Sequence, residues 1–132
     1  GNLPAEIIFP VNDRKVALFH ATPRKNNLYW FEDRPEKFFQ EMAGKIDADV
    51  LIYGHTHKPY RKDFENKIFI NAGSVGKPKD GDPRACVTLI EVTAKTVNVE
   101  FLRVPYDVEK AAKAIVTSEL PEYFAEKLKE AK

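Results

Sequence analysis

An α/β fold with mixed parallel and antiparallel strands is predicted by three features of this 132-residue chain. An amphipathic helical segment lies between two short apolar runs, which is the order of a βαβ unit with parallel strands. Two pairs of alternating segments with the pattern of β-hairpins follow it. Two further helical segments close the chain. We therefore predict one domain over residues 1–132, a length sufficient for a real core.

The βαβ unit begins with a predicted strand over residues 15–19, which ends directly before His20. The helix follows in "DRPEKFFQEMAGKI", where Asp33 is a candidate N-cap and Glu36 stands three residues later, as in a capping box. The run "ADVLIYG" is apolar almost throughout. Such a run is typical of a strand that is covered on both faces.

The hairpins and the closing helices are marked by turn and cap residues. "KPYRKDF" and "KIFINAG" flank the polar pair Glu65-Asn66, which favours a tight turn. "ACVTLIEVT" and "VNVEFLRV" flank a second short turn, and the latter alternates apolar and polar residues. We expect the closing helices to begin near Asp107 and at Pro121.

The composition is globular and shows no electrostatic signal for nucleic acid or membrane surfaces. Hydrophobic residues make up 43%, charged residues 31%, and the net charge is +1. No segment approaches the roughly 18 apolar residues of a membrane span, and we see no signal peptide at the start. Cys86 is the single cysteine, which fits a reducing compartment. We therefore expect a cytoplasmic protein.

All three histidines of the chain follow apolar runs that we predict to be neighbouring strands. His20 ends the first run, and His55 and His57 follow the second in "YGHTH". Ligands of open α/β sheets bind beyond the carboxyl ends of the strands. In an extended loop, the side chain of His57 returns to the same side as that of His55. Three converging imidazoles predict a divalent-metal site with these histidines as ligands.

Four segments, in the right order, resemble the calcineurin-like metallophosphoesterases, in particular the small bacterial and archaeal phosphodiesterase-type members. "LFHATPR" is similar to their His-Gly-Ser-Pro-Arg segment, and "GHTHKP" is similar to their terminal histidine motif. "INAGSVGKPKDGDPRACVTLIE" resembles their Asn-Pro-Gly-Ser-Val-Gly-x-Pro-Arg loop. "VPYDVEKAAKAIVTSELPEYFAEKL" resembles the helical tail of one bacterial subgroup. The resemblance covers nearly the whole chain from Leu3 onward.

The resemblance implies part of an αββα sandwich and a hydrolase that cleaves a phosphodiester or a phosphomonoester at a binuclear metal centre. In the intact family member the ions are two divalent cations, such as manganese, nickel, zinc or iron. His20 and His55 resemble ligands of the second metal, and His57 resembles a ligand of the first. No catalytic residue is assigned in this chain.

Three further residues are candidates for contact with the substrate. Arg24 matches the arginine of the first histidine segment and can meet a phosphate, although a solvated arginine is an equal alternative. Asn71 and Ser74 belong to the loop that lines the cleft in this family. We interpret both mainly as turn-forming residues and place substrate contact second.

The carboxylate motifs that complete the family's site have no counterpart in this sequence. The family uses Asp-x-His, Gly-Asp-x-x-Asp and Gly-Asn-His-Asp motifs, and for the last of these only Gly1 and Asn2 stand as an undecided remnant. The chain therefore resembles the C-terminal half of a metallophosphoesterase. We expect it to bind one metal ion or none and to be inactive by itself.

Two expectations about partners follow from such a half-site. The strands at residues 15–19 and 50–53 would lack pairing strands and covering helices, so we expect the missing N-terminal half or a second copy of the chain as partner, besides a phosphate-ester substrate. The alternative function is a non-catalytic scaffold for protein interaction, because the fold also occurs in members without catalysis. Two tightly bound ions would favour the enzyme, and one weak ion or none would favour the scaffold or a fragment.

Overall fold

The computed structural model describes residues 3–132, so the candidate remnant at Gly1 and Asn2 lies outside the described residues. The strands are β1 Glu6–Val11, β2 Arg14–Phe19, β3 Val50–Tyr53, β4 Tyr60–Phe64, β5 Lys67–Asn71, β6 Ala85–Val92 and β7 Val97–Val104. The helices are α1 Glu36–Ala43, α2 Val108–Val116 and α3 Tyr123–Glu130. Five strands form one sheet in the order β1-β2-β3-β5-β4, and β6 and β7 form a second sheet.

The predicted mixture of parallel and antiparallel strands is confirmed. β2 runs parallel to β3, and β3 runs parallel to β5, while β1 and β4 add antiparallel pairs at the two edges of the sheet. α1 connects β2 to β3, as a βαβ unit requires. The carboxyl ends of β2 and β3 therefore lie at the same edge of the sheet, which positions the candidate site.

The predicted cap of α1 is wrong. The helix begins at Glu36, and its N-cap is Pro35, whose side chain makes no capping hydrogen bond. Asp33 stands two residues before Pro35 and is too far upstream to reach the free amides of the first turn. By contrast, the predicted start of α2 is confirmed, because the Asp107 carboxylate accepts a hydrogen bond of 3.0 Å from the Lys110 amide.

Both predicted hairpins are present, and a third one precedes them. Glu65 and Asn66 connect β4 to β5 with φ values of 48° and 61°, the positive values that a two-residue type I′ turn needs. Asn12 and Asp13 connect β1 to β2 in the same way, with φ values of 45° and 66°. The sequence pattern did not predict β1, because Pro10 interrupts its apolar run. An edge strand tolerates this proline, since one of its sides has no hydrogen-bonding neighbour.

The two faces of the five-stranded sheet have separate cores. One face packs against α1 and the segment before it, and its core is aromatic, with the ring centroids of Trp30 and Tyr53 4.2 Å apart. The other face packs against β6 and β7 through smaller aliphatic side chains. Consecutive residues of β3 point to opposite cores, so Val50 and Leu51 are both fully buried.

The expectation that the strands at residues 15–19 and 50–53 lack pairing strands is therefore wrong, because β1 and β3 flank β2, and β2 and β5 flank β3. Both faces of β3 are also covered. The uncovered apolar surface lies instead on β1 and β2. Ile7, Phe9 and Leu18 share the face of Val16 by cross-strand register, and they are 45%, 38% and 43% exposed. We call these three residues the open face.

The C-terminal helices pack against each other and against the loop that follows β5. The Lys77 ammonium lies 5.3 Å from the centre of the Phe124 ring, and the Gly81 amide donates a hydrogen bond of 3.2 Å to the carbonyl of Ala131. Among residues 3–132, no helix has the length and apolar character that a membrane crossing needs.

Candidate functional site

The site begins where β2 and β3 end side by side. His20 directly follows β2, and His55 follows β3 after Gly54. The Gly54 amide donates a hydrogen bond of 2.9 Å to the carbonyl of His20, which ties the two strand ends together. Nε2 of His20 lies 2.9 Å from Nδ1 of His55, so the two imidazoles are hydrogen-bonded. The geometry of parallel strands thus brings these two histidines together, as the sequence predicts.

The histidine loop turns more sharply than an extended segment. His55 and His57 both have left-handed backbones, with φ values of 70° and 60°. This conformation is uncommon for a residue other than glycine, although histidine adopts it more readily than most. Such local strain persists only where the surrounding contacts maintain it, and it is concentrated at functional sites.

The predicted return of His57 to the side of His55 through an extended loop is therefore not observed. Nδ1 of His57 lies 2.7 Å from the carbonyl of Lys77, in the loop after β5. A carbonyl only accepts hydrogen bonds, so Nδ1 carries the proton in the neutral ring and Nε2 keeps its lone pair. Among residues 3–132, no three side chains of His, Cys, Asp or Glu meet as a metal-ligand group. The assignment of all three histidines as ligands stays a prediction.

Nε2 of His55 is buried and has no hydrogen-bond partner within residues 3–132. A buried polar atom without a partner costs about 1–3 kcal/mol, unless a ligand satisfies it. His57 has the arrangement that metal-bound histidines usually show, with Nδ1 on a backbone carbonyl and with no hydrogen bond from Nε2 to another described residue. By ligand type, these two imidazole nitrogens suit zinc, nickel or iron.

Burial and positive charge favour the neutral form of both rings. Burial is the main cause that lowers the pKa of His55, and the charges of His20, His57 and Lys79 lower it further. Burial also lowers the pKa of His57, and Lys79 acts in the same direction, while the hydrogen bond to the Lys77 carbonyl partly opposes them. Only a neutral imidazole coordinates a metal, so these lowered pKa values extend metal-binding capacity to lower pH.

Asn71 holds the histidine loop in place. Its side chain is 0% exposed. Its amide nitrogen donates hydrogen bonds to the Gly54 carbonyl at 3.1 Å and to the Thr56 hydroxyl at 2.9 Å. Its amide oxygen accepts a hydrogen bond of 3.0 Å from the Gly73 amide. This geometry agrees with the turn-forming interpretation, and contact with substrate stays a prediction.

The other two candidates for substrate contact lie apart from Asn71. The Ser74 hydroxyl accepts a hydrogen bond of 3.0 Å from the Lys77 amide, so it shapes the loop that supports His57. Arg24 is exposed, and its guanidinium lies 3.5 Å from the carbonyl of Lys45. Within the described chain, no hydrogen bond joins Arg24 to a histidine, and its contact with phosphate also stays a prediction.

Two residues that sequence reasoning missed border the histidines. The ring of Tyr29 stacks on that of His55, with centroids 4.4 Å apart. Lys79 donates its backbone amide to the carbonyl of His57 at 3.0 Å and brings a positive charge to both rings of the loop. The only sequence signals were an aromatic cluster, "LYWF", and a lysine-rich loop, "GKPKDG". Neither pattern specifies contact with a histidine.

A family model described as the calcineurin-like phosphoesterase superfamily domain matches residues 1–95. The chain belongs to this superfamily. An uncharacterised protein of Methanocaldococcus jannaschii is 31% identical over 144 residues, which cover 96% of this chain and 56% of the relative. A probable metallophosphoesterase of Methanothermobacter thermautotrophicus is 27% identical over 100 residues, which cover 76% of this chain and 53% of the relative. The chain thus spans about half the length of these curated relatives.

Solved structures support the same architecture. A metallophosphoesterase from Sphaerobacter thermophilus superposes with a TM-score of 0.79 at 24% identity and covers 99% of this chain and 60% of its own. Vps29 of Entamoeba histolytica, solved in complex with Zn²⁺, has a TM-score of 0.58 at 22% identity and covers 78% of this chain and 62% of its own. At this identity the likeness shows the fold alone.

Proposed function

We propose that this chain contributes the histidine-rich part of a metal-dependent phosphoesterase site that hydrolyses a phosphodiester or a phosphomonoester. The observation that carries the proposal is the hydrogen-bonded His20–His55 pair at the joined ends of β2 and β3, together with the buried Nε2 of His55, which has no hydrogen-bond partner among residues 3–132. His57 is the third proposed ligand. Its Nδ1 donates to the carbonyl of Lys77, which leaves the lone pair of Nε2 for a metal. Membership of the phosphoesterase superfamily supports the reaction class.

The side chains of this chain would bind and orient rather than react. Bound divalent cations supply Lewis-acid stabilisation of the charge on the phosphate oxygens. Asn71 keeps the histidine loop in its strained conformation, and Lys77 fixes the tautomer of His57. Burial lowers the pKa values of His55 and His57 and so favours the neutral rings that can coordinate.

The number of ions and the remaining ligands also belong to the proposal. The intact family member would hold two divalent cations, such as manganese, nickel, zinc or iron, and this chain alone would hold one or none. Zn²⁺ is the first ion to test, because a structural neighbour was solved as a Zn²⁺ complex. The chain would correspond to the C-terminal half of the enzyme, and an N-terminal half or a second copy would supply the carboxylates.

Calorimetry with Zn²⁺ tests the site directly. We expect fewer than two ions per chain, and we expect His55→Ala and His57→Ala each to weaken binding at least tenfold, about 1.4 kcal/mol. Gln40→Ala, on the exposed side of α1, is the control that should leave the affinity unchanged. Equal affinity in the wild type and in both histidine variants would contradict the proposal.

An assay of phosphodiester hydrolysis distinguishes a half-site from a complete site. The chain alone should hydrolyse an activated phosphodiester no faster than its His57→Ala variant, because the second group of ligands is lacking. Metal-dependent turnover by the chain alone would show that the site is complete within one chain or between two copies.

A scaffold for protein interaction is the second candidate function. The open face on β1 and β2 favours it, since three adjacent large apolar side chains are rarely left exposed without a partner. The metal titration decides between the two candidates. Zn²⁺ binding that His55→Ala and His57→Ala both weaken would favour the half-site of the enzyme, and no Zn²⁺ binding, or binding that neither variant changes, would favour the scaffold.

A further inference from the structure

We propose that a cavity of about 420 Å³ beside the histidine loop binds the organic group of the phosphate ester, and that it selects a planar ring that carries amino groups, such as an amino-bearing nucleobase. This inference rests on the proposed function. The cavity is lined by Phe31, Glu32, Asp33, Lys58, Pro59 and Tyr60. None of these residues is among the predicted metal ligands.

The cavity adjoins the histidines through two separate connections. Lys58 directly follows His57 in the chain. Phe31 lies parallel to Tyr29, with ring centroids 5.7 Å apart and an angle of 7° between the rings, and Tyr29 in turn stacks on His55. One ring, that of Tyr29, therefore separates Phe31 from His55, and the proposal places the organic group of a phosphate ester held at the histidines in this cavity.

Phe31, Pro59 and Tyr60 form the apolar part of the cavity wall. The volume of the cavity falls within the roughly 300–1,000 Å³ of small-molecule sites, which are mostly apolar with a few polar groups. Tyr60 is almost fully buried, and its hydroxyl is already engaged, 2.9 Å from the Trp30 carbonyl and 2.6 Å from the Tyr53 hydroxyl. It serves as a fixed wall. Phe31 is only partly buried, and the part of its ring that Tyr29 does not cover offers an aromatic surface on which another ring can stack.

The charged groups of the cavity define the chemistry of the ring. Glu32 and Asp33 are exposed, and within residues 3–132 neither carboxylate has a hydrogen-bond or salt-bridge partner. Two free carboxylates accept hydrogen bonds from amino groups and repel a second anionic group. The Lys58 ammonium lies 5.8 Å from the centre of the Phe31 ring and balances only one of these charges. An aliphatic acid or a polyphosphate would therefore be disfavoured.

Ligand-observed NMR titration of the whole chain without added metal tests the cavity. The probes are adenosine, purine riboside, which lacks the amino group, and ribose 5-phosphate, which lacks the ring. We expect adenosine to bind, and Phe31→Leu to weaken its binding about tenfold, because stacking of a base on an aromatic ring contributes about 1–3 kcal/mol. Phe101→Leu, on the opposite side of the sheet, is the matched control that should change nothing.

The preference for adenosine over purine riboside tests the role of the Glu32 and Asp33 carboxylates. We expect the double variant Glu32→Gln, Asp33→Asn to reduce the preference for adenosine over purine riboside, while its thermal transition stays that of the wild type. Adenosine binding that is insensitive to Phe31→Leu, or ribose 5-phosphate binding as tightly as adenosine, would overturn the inference. Failure of the proposed function has a different signature. In that case Phe31→Leu still weakens adenosine binding, but the wild type and the His57→Ala variant bind adenosine 5′-monophosphate equally and bind Zn²⁺ equally.

Discussion

The two faces of the five-stranded sheet are similarly apolar in sequence but are covered to different extents. On the α1 face, the rings of Trp30, Phe39 and Phe69 are all 0% exposed. On the other face, β6 and β7 cover the centre of the sheet, and the open face of Ile7, Phe9 and Leu18 remains accessible. The difference shows that burial depends on the elements available to cover a strand and not on the hydrophobicity of the strand itself.

The covered face also supports the histidines. Trp30 is the chain neighbour of Tyr29, which stacks on His55, and its ring packs on Tyr53, the residue before Gly54. A rigid aromatic core therefore lies directly behind the strained histidine loop. The residues of the open face lie instead on β1 and β2 and point to the side of the second sheet, away from this aromatic core. We expect changes to the two faces to have different consequences.

The largest expected difference between the two faces is in the stability that is lost when a side chain is truncated. Trp30→Ala removes a fully buried side chain and should lower the free energy of unfolding by about 3–5 kcal/mol. Leu18→Ala removes a side chain that is nearly half exposed and should cost about 1 kcal/mol. Denaturant unfolding measures both values. Equal losses for the two variants would show that the open face is covered in solution.

The second prediction concerns self-association through the open face. We expect the chain to associate at micromolar concentration, because apolar side chains and an edge strand lie side by side on β1 and β2. Leu18→Lys should weaken this association about tenfold or more, since it places a charge in an apolar contact. Sedimentation velocity measures the effect.

The control for this variant is Leu89→Lys. Leu89 is exposed on β6, outside the open face, so this change should leave the association unaffected. A sharp wild-type monomer with a cooperative thermal transition would instead show that the sheet is complete in this chain.

The smallest expected effect is a dependence of stability on pH at the histidine loop. Folding lowers the pKa values of His55 and His57, so the unfolded chain binds more protons in mildly acidic solution. Their contribution to stability is complete above about 6.5, the unfolded pKa of histidine, and is lost as pH falls below it through the folded pKa values. Asp82 does not interfere, because Arg84 lowers its pKa to about 2.

Thermal unfolding of the wild type and of the double variant His55→Gln, His57→Gln between pH 5 and pH 8 measures this contribution. The variant should lose less stability than the wild type as pH decreases from about 6.5 to 5. An identical pH dependence of the two proteins would show that neither ring is shielded as the structure indicates.

The βαβ unit and the later hairpins are predictable from the residues alone, because local signals agree with the tertiary arrangement. The apolar run of β3 predicts a strand covered on both faces, and Val50 and Leu51 are both buried. β1 is not predictable in the same way, since Pro10 argues against a strand and only its position at the sheet edge makes the proline acceptable. The cap of α1 fails as a prediction for another reason. The helix starts at Glu36, and Asp33 lies out of reach of its amides.

In the candidate site, too, one part is predictable from the sequence and another part is not. His20 and His55 meet because parallel strands end at one edge, and this follows from chain order. The direction of His57 does not follow from chain order. It depends on a hydrogen bond to Lys77, twenty residues away, and on the support of Asn71 for the loop.

The sequence by itself determined the superfamily, the mixed sheet and the placement of two histidines at adjacent strand ends. These features depend on local periodicity and on short motifs, which each segment carries independently of its neighbours. Only the tertiary structure decided the left-handed conformation of His57, the burial of Asn71, the cavity beside Phe31 and the exposure of Leu18. Each of these depends on contacts between residues far apart in the chain. The energies of such contacts exceed local preferences of a few tenths of a kcal/mol to about 1 kcal/mol, so no local pattern can predict them.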